Sequence, residues 1–169
     1  MVRLGATLRG LKSSKSSESM SVSEAENSGQ LHLELPAEQD SLVVLAEAVE
    51  VLAESRSWPA EARFHVDLVL EELAQNIVSY GYPDGRPGQF EVDIQQQGNQ
   101  LLIAIEDDGI AFDPFSLATP DLDLSLEERS IGGLGVHFTR TLMNTYGYQR
   151  VDGHNRVELT KSLTAQAAD

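Results

Sequence analysis

Three short stretches of the chain carry residue types and spacings suited to chemistry. Glu72 and Asn76 lie four positions apart, which on a helix stacks them one turn above the other on one face. A carboxylate there can serve as a general base. The amide oxygen is a hard, neutral ligand of the kind Mg²⁺ accepts when it already bridges phosphates. Asp107-Asp108-Gly109-Ile110-Ala111 follows an apolar run. An acid at a strand end accepts a hydrogen bond from an exocyclic amine, and Gly109 lets a flat ring approach the backbone. Gly132-Gly133-Leu134-Gly135 precedes a helical pattern. Glycines at a helix start expose N–H groups to an anion, and the helix dipole adds to the attraction. Each stretch alone has a plain competitor: a helix-edge acid, a solvated acidic turn, a flexible hinge. No Gly-Lys-Ser/Thr follows the glycines, so this is not a Walker loop, and no strand precedes them as a dinucleotide fingerprint requires.

The elements that must position these groups follow from periodicity. Leu31, Leu33 and Leu35 alternate with polar residues and predict a strand ended by Pro36. Leu42, Leu45, Val49 and Leu52 recur at helical steps, predicting a helix from Pro36 to about Ser55. A second helix opens at Pro59 and runs to Tyr80, where Gly81 stops it. Val66, Val69, Leu70, Leu73 and Ile77 share its apolar face. Glu71 and Gln75 point to water, and Glu72 and Asn76 lie along the border. Residues 82–88 read as a loop. Phe90–Ile94 and Leu101–Glu106 read as a hairpin around Gly98-Asn99. Asp108 to about Ser130 is long, holds two prolines and lacks a period, as active-site lids do. A helix from Gly132 to about Tyr146 and two strands, Tyr148–Val151 and Arg156–Thr160, complete the order β–α–α–β–β–lid–α–β–β. That order predicts an α+β, two-layer sandwich: a mostly antiparallel sheet with helices on one face.

Composition narrows the possibilities. The chain has no cysteine, so disulfides, thiolate metal sites and a cysteine nucleophile are excluded. Four histidines form no close pair, and His137, just past the glycines, reads as structural or exposed. Trp58 before Pro59 reads as a packing residue. The net charge of −15 repels a phosphate backbone, making nucleic acid a poor partner. Neither a secretory signal nor an apolar run long enough for a membrane span is apparent, so a cytoplasmic chain is expected. The first thirty residues are Ser-rich with few large apolar groups and predict a flexible tail. Residues 31–163 then form one domain, with 164–169 a short C-terminal tail.

Taken together, the stretches carry a resemblance. Glu72-Leu73-Ala74-Gln75-Asn76, Asp107 through Pro114, and Gly132-Gly133-Leu134-Gly135-Val136 resemble the N box and two glycine boxes of the Bergerat-fold (GHKL) ATPases. The short chain, the Gly-Gly-Leu-Gly variant and Phe112-Asp113-Pro114 are similar to the anti-sigma-factor serine kinases of the RsbW type. The resemblance implies ATP and Mg²⁺ as cofactors. It implies Asn76 as the Mg²⁺ residue, Glu72 as the base that activates an acceptor serine, and Asp107 as acceptor of the adenine amine. Gly109 and Ala111 would shape the base pocket, and Gly132, Gly133, Leu134 and Gly135 would close on the phosphates. Thr160 would sit near the adenine, and Arg129 on the lid would contact phosphate or partner. The implied partners are a STAS-domain anti-anti-sigma protein and a sigma factor. A homodimer is possible, with the first strand and helix as the natural edge. Two other readings stay open: a non-catalytic, ATP-gated binding module, and the ATP domain of a histidine-kinase-like system acting in trans.

Overall fold

The computed structural model describes residues 8–9, 19–20, 29–116 and 133–164. Most of the expected tail, lid residues 117–130, Arg129, Gly132 and residues 165–169 lie outside the described residues. Within the Ser-rich segment, β1 (Leu8–Arg9) and β2 (Ser19–Met20) form a two-residue antiparallel pair.

The main sheet has the order β3-β4-β5-β7-β6, every neighbouring pair antiparallel. Its strands are β3 (Gln30–Pro36), β4 (Gln89–Gln97), β5 (Gln100–Asp107), β6 (Thr145–Val151) and β7 (His154–Ser162). Strict alternation makes one face apolar and the other polar. Leu31, Leu33, Phe90, Val92, Ile94, Leu101, Ile103, Ile105, Val157 and Leu159 are buried. The opposite face carries the cross-strand row Glu34, Glu91, Glu106 and Arg156. There Arg156 and His154 each contact the Glu106 carboxylate at 2.9 Å.

Helices α1 (Gln39–Ser55), α2 (Ala60–Tyr80) and α3 (Gly133–Leu142) complete the second layer. Leu45, Val49 and Leu52 of α1 join Val66, Val69, Leu70 and Leu73 of α2 in the core. Each such side chain contributes about 1.5–3 kcal/mol through burial. Trp58 is buried between the helices and the sheet, its indole N–H donating to Gln96 Oε1 at 2.9 Å. The packing role expected of it holds, as does the α+β sandwich.

Two boundaries differ from expectation. The first helix begins at Gln39 rather than Pro36. The third helix stops at Leu142, and Thr145–Val151 forms a strand that reaches back over the expected helical residues. Gly147 and the β-favouring Thr145, Tyr146 and Tyr148 tip that segment toward pairing with β7. The final turn is also tighter than the four residues expected. Only Asp152 and Gly153 form it, both with positive φ (51° and 87°), the geometry of a two-residue hairpin. His154 and Asn155 are thereby released into β7.

Candidate nucleotide site

Alternation along β5 carries the apolar series Leu101, Ile103, Ile105 on to Asp107, which therefore turns its carboxylate toward the helices. Above it the α2 residues Leu73, Asn76, Ile77 and Tyr80 face β5 and β7 across a gap that the core does not fill. The resulting cleft encloses about 530 Å³, its open mouth included. It is completed by Gly81, Ile105, Ile110, Phe112, Pro114, Asn155 and Val157. Ile110 and Phe112 are 50% and 39% exposed. Large apolar side chains left open at a cleft mouth suit a ligand with apolar faces.

Asp107 is buried. Its Oδ1 accepts from the Gly109 N–H (2.8 Å) and from Asn155 Nδ2 (2.9 Å). No hydrogen bond from the described residues engages Oδ2. Burial pushes this carboxyl above the usual carboxylate range; the two hydrogen bonds and the Arg150 charge work against that, and Asp108 adds to it. An apolar slot with one acceptor at its floor is equipped to read a flat ring bearing an amine.

Two glycines allow α2 and the loop after β5 to interlock. The Gly81 carbonyl accepts from Ile110 N at 2.9 Å. A Cβ on Gly109 would lie 2.7 Å from both that carbonyl oxygen and Asp107 Oδ1. Neither neighbour is a flexible chain end. Gly109→Ala is therefore expected to cost about 1–3 kcal/mol of stability in urea unfolding, as overpacking does, and to weaken ligand binding through displacement of Asp107. The loop after α2 is anchored to the same strand end. Tyr82 Oη lies 2.7 Å from the Gln89 carbonyl and 2.9 Å from Asp108 Oδ1. Arg86 stacks on the Tyr82 ring and donates to Asp108. A Cβ on Gly88 would enter the Tyr82 ring at 2.2 Å.

The structure brings Asn76, Asp107 and Gly109 together, and Glu72 stands one turn before Asn76 on α2. Glu72 does not line the cleft itself. Its carboxyl is half-buried and raised above its ordinary range, first by burial and then by the adjacent Glu71. Asn76 Nδ2 is buried without a hydrogen-bond partner among the described residues; a bound acceptor such as a phosphate oxygen would satisfy it, and the amide oxygen is the atom that could face a metal ion. Among the described residues no group of three or more acidic, histidine or cysteine side chains could hold a metal. A Mg²⁺ ion would therefore depend on this amide and on the ligand's own phosphates, which is the usual economy of Mg²⁺ sites. The residues present fit ATP and Mg²⁺. Gly133, Leu134 and Gly135 form the first turn of α3, whose N–H groups have no intrahelical acceptor. The glycines thus begin the helix rather than precede it.

Other expectations need correction. Ala111 is exposed and does not line the cleft; its neighbours Ile110 and Phe112 do. Thr160 is displaced further. It pairs with Leu102 and Thr145, on the polar face of the sheet, and its hydroxyl meets that of Thr145 at 2.8 Å. The residue of β7 opposite Asp107 is Asn155, which the sequence reading assigns to the turn. The inward series Leu159, Val157 extends by two positions to Asn155, so the signal was present in the alternation. Arg150 and Tyr148 of β6 also reach this corner through Asn155. Only strand pairing could reveal them.

Comparison with known proteins agrees with this geometry. The Histidine kinase-like ATPase domain family matches residues 35–161. The chain is 34% identical over 112 residues to the serine/threonine-protein kinase BtrW of Bordetella bronchiseptica, an alignment covering 66% of this chain and 79% of that protein. The solved RsbU and RsbW domains of Rv1364c from Mycobacterium tuberculosis share the fold with a TM-score of 0.58 at 18% identity. That match covers 82% of this chain, which spans about 33% of the solved one. The family model spans well over half of the sequence, and this chain belongs to the Histidine kinase-like ATPase domain family.

Proposed function

We propose that this chain is an ATP- and Mg²⁺-dependent serine kinase that phosphorylates a STAS-domain anti-anti-sigma protein and sequesters a sigma factor. The observation that carries the reading is Asp107, a buried acid with one oxygen left over at the floor of an apolar cleft whose α2 wall holds Asn76. The name of its relative BtrW supports the serine/threonine chemistry.

In this reading Asp107 Oδ2 accepts the exocyclic amine of adenine while Ile110, Phe112 and Ile77 cover the ring. Asn76 would hold Mg²⁺, which would supply charge neutralisation for the phosphates of a nucleotide entering a strongly acidic protein. The first turn of α3 offers N–H groups to those phosphates. Glu72 takes the proton of the acceptor serine hydroxyl. Its raised pKa places it nearer neutral pH than an exposed glutamate, which suits a base.

The test combines the chain, Mg-ATP and candidate STAS proteins, with phosphoserine read by mass spectrometry. Transfer to serine is expected; tight ATP-dependent complexes without transfer would leave only the binding-module reading. A simpler observation precedes it. At about 100 times the dissociation constant, Mg-ATP should stabilise the fold by about 2.7 kcal/mol.

Asn76→Ala separates the metal from the nucleotide. The variant should bind ATP equally in Mg²⁺ and in EDTA, having lost the gain that Mg²⁺ confers on the wild type. Its unliganded stability should stay within about 1 kcal/mol of wild type, because the substitution also removes a buried donor that has no partner among the described residues. Calorimetry in the two buffers and a urea titration check both halves.

A further inference from the structure

We propose that Asn155 is a positioning residue that sets base specificity: backed by Arg150 and Tyr148, it fixes the Asp107 carboxylate with Oδ1 engaged and Oδ2 presented as an acceptor, so that the cleft takes 6-amino purines and refuses 6-oxo purines. The inference rests on the nucleotide reading above and goes beyond it in naming what holds the acid in register.

Asn155 is 5% exposed, and both ends of its amide are occupied. Nδ2 donates to Asp107 Oδ1 at 2.9 Å and to the Ile110 carbonyl at 2.8 Å. Oδ1 faces three donors: Arg150 at 2.7 Å, the Tyr148 hydroxyl at 2.9 Å and Phe112 N at 3.2 Å. Rotating the amide by half a turn would set donor against donor or acceptor against acceptor at Asp107, Ile110, Arg150 and Phe112, the Tyr148 hydroxyl alone being able to switch role, so only one orientation is tenable. The other arm of Arg150 donates to the Gly109 carbonyl at 3.2 Å. The loop 109–112 is therefore pinned to β6 and β7 at Gly109, Ile110 and Phe112, and two of these residues line the cleft.

Asn155 consequently decides two properties of Asp107. The first is its rotamer, since Oδ1 is held from the β7 side and by the Gly109 N–H. The second is its charge. Burial drives the carboxyl toward the protonated form, and Asp108 on its own loop drives it the same way. From β7 the Asn155 bond opposes this, and from β6 the Arg150 charge does. Among the described residues, the titratable groups near it also include the hydroxyls of Tyr82, Tyr148 and Tyr80, from the loop after α2, from β6 and from the α2 wall. Without Asn155 and Arg150 the carboxyl holds its proton to higher pH. A protonated Oδ2 donates, which suits a 6-oxo group and not a 6-amino group.

The experiment measures dissociation constants for Mg-ATP and Mg-ITP, which differ at the purine 6-position, from about pH 5.5 to about pH 8. Proteins are wild type, Asn155→Leu and Arg150→Met. Wild type should prefer ATP by about 100-fold or more, since a site built to hydrogen-bond one group rejects its opposite strongly. In Asn155→Leu the preference should shrink to less than about 10-fold, and the pH at which ATP binding declines should move upward. Arg150→Met, at an exposed edge-strand position, should move both quantities in the same direction by less. If Asn155→Leu does not fold, Arg150→Met decides. Wild-type binding with an unchanged ATP/ITP ratio and pH profile in the folded variants overturns this inference and leaves the nucleotide reading standing. A wild-type chain that binds neither nucleotide overturns both.

Discussion

Asp107→Asn should abolish useful ATP binding and leave the empty domain at least as stable as wild type. The two effects have one origin. Gly109 N and Asn155 Nδ2 both donate to Asp107 Oδ1, so an asparagine must place its own oxygen there and its NH₂ where Oδ2 stood. The floor of the cleft then offers a donor to the adenine amine, itself a donor. Loss of the bond plus a buried mismatch should weaken binding by about 100-fold or more, about 3 kcal/mol at about 1.4 kcal/mol per decade. Stability moves the other way. The folded-state pKa of Asp107 is raised above its unfolded value, so the native state binds the proton more tightly. The stabilisation linked to that proton is complete below the ordinary carboxylate range and disappears as pH rises through the raised value. Above that raised value the wild-type domain carries a buried charge that opposes folding, and the neutral amide does not. Calorimetry with ATP and thermal melts at neutral and acidic pH check both parts. The melting temperature of Asp107→Asn should equal or exceed that of wild type near pH 7, and the advantage should vanish in acid.

Glu72→Gln is expected to have a comparable effect on a different quantity. If Glu72 removes the proton from the acceptor serine, the variant should retain nucleotide affinity and lose phosphotransfer by about 100- to 10,000-fold. Glu72 is outside the lining of the cleft, which is why binding should be spared. Its raised pKa also gives a pH signature. Wild-type transfer should fall as the solution is acidified through a value above the usual glutamate range, because the base must be ionised to act. Rapid-quench measurement of phosphoserine across pH tests this. Equal transfer rates in the variant would reduce Glu72 to a helix-edge acid.

The two helices and the central hairpin were legible because their signals are local and strong. The residues that pack α2 follow a 3.6-residue period, and those of β4 and β5 a two-residue period. The same counting placed Glu72 and Asn76 on one helix border and Asp107 at a strand end. The third helix was read four residues too long because a local pattern does not weigh Thr145–Val151 against the partner strand waiting at His154–Ser162. Thr160 and Asn155 exchanged places for a related reason. Alternation with Val157 and Leu159 already sets Thr160 outward and Asn155 inward, but that Asn155 belongs to β7 and stands opposite Asp107 is settled only by the two-residue turn at Asp152-Gly153 and by pairing with β5.

What this chain's amino-acid order determined by itself is the layered α+β plan, the exclusion of cysteine chemistry, and the identity of the acid and the amide at the cleft. All of these follow from periodicity and composition within single elements. Which residues stand around that acid was decided only in three dimensions. Asn155, Arg150 and Tyr148 all lie more than forty positions beyond Asp107 in the chain. They reach it because antiparallel pairing sets Asp107 opposite Asn155 and folds β6 alongside. Hydrogen-bond partners across a sheet are chosen by register and by the burial that forbids unpaired polar atoms, and neither is a property of any one segment.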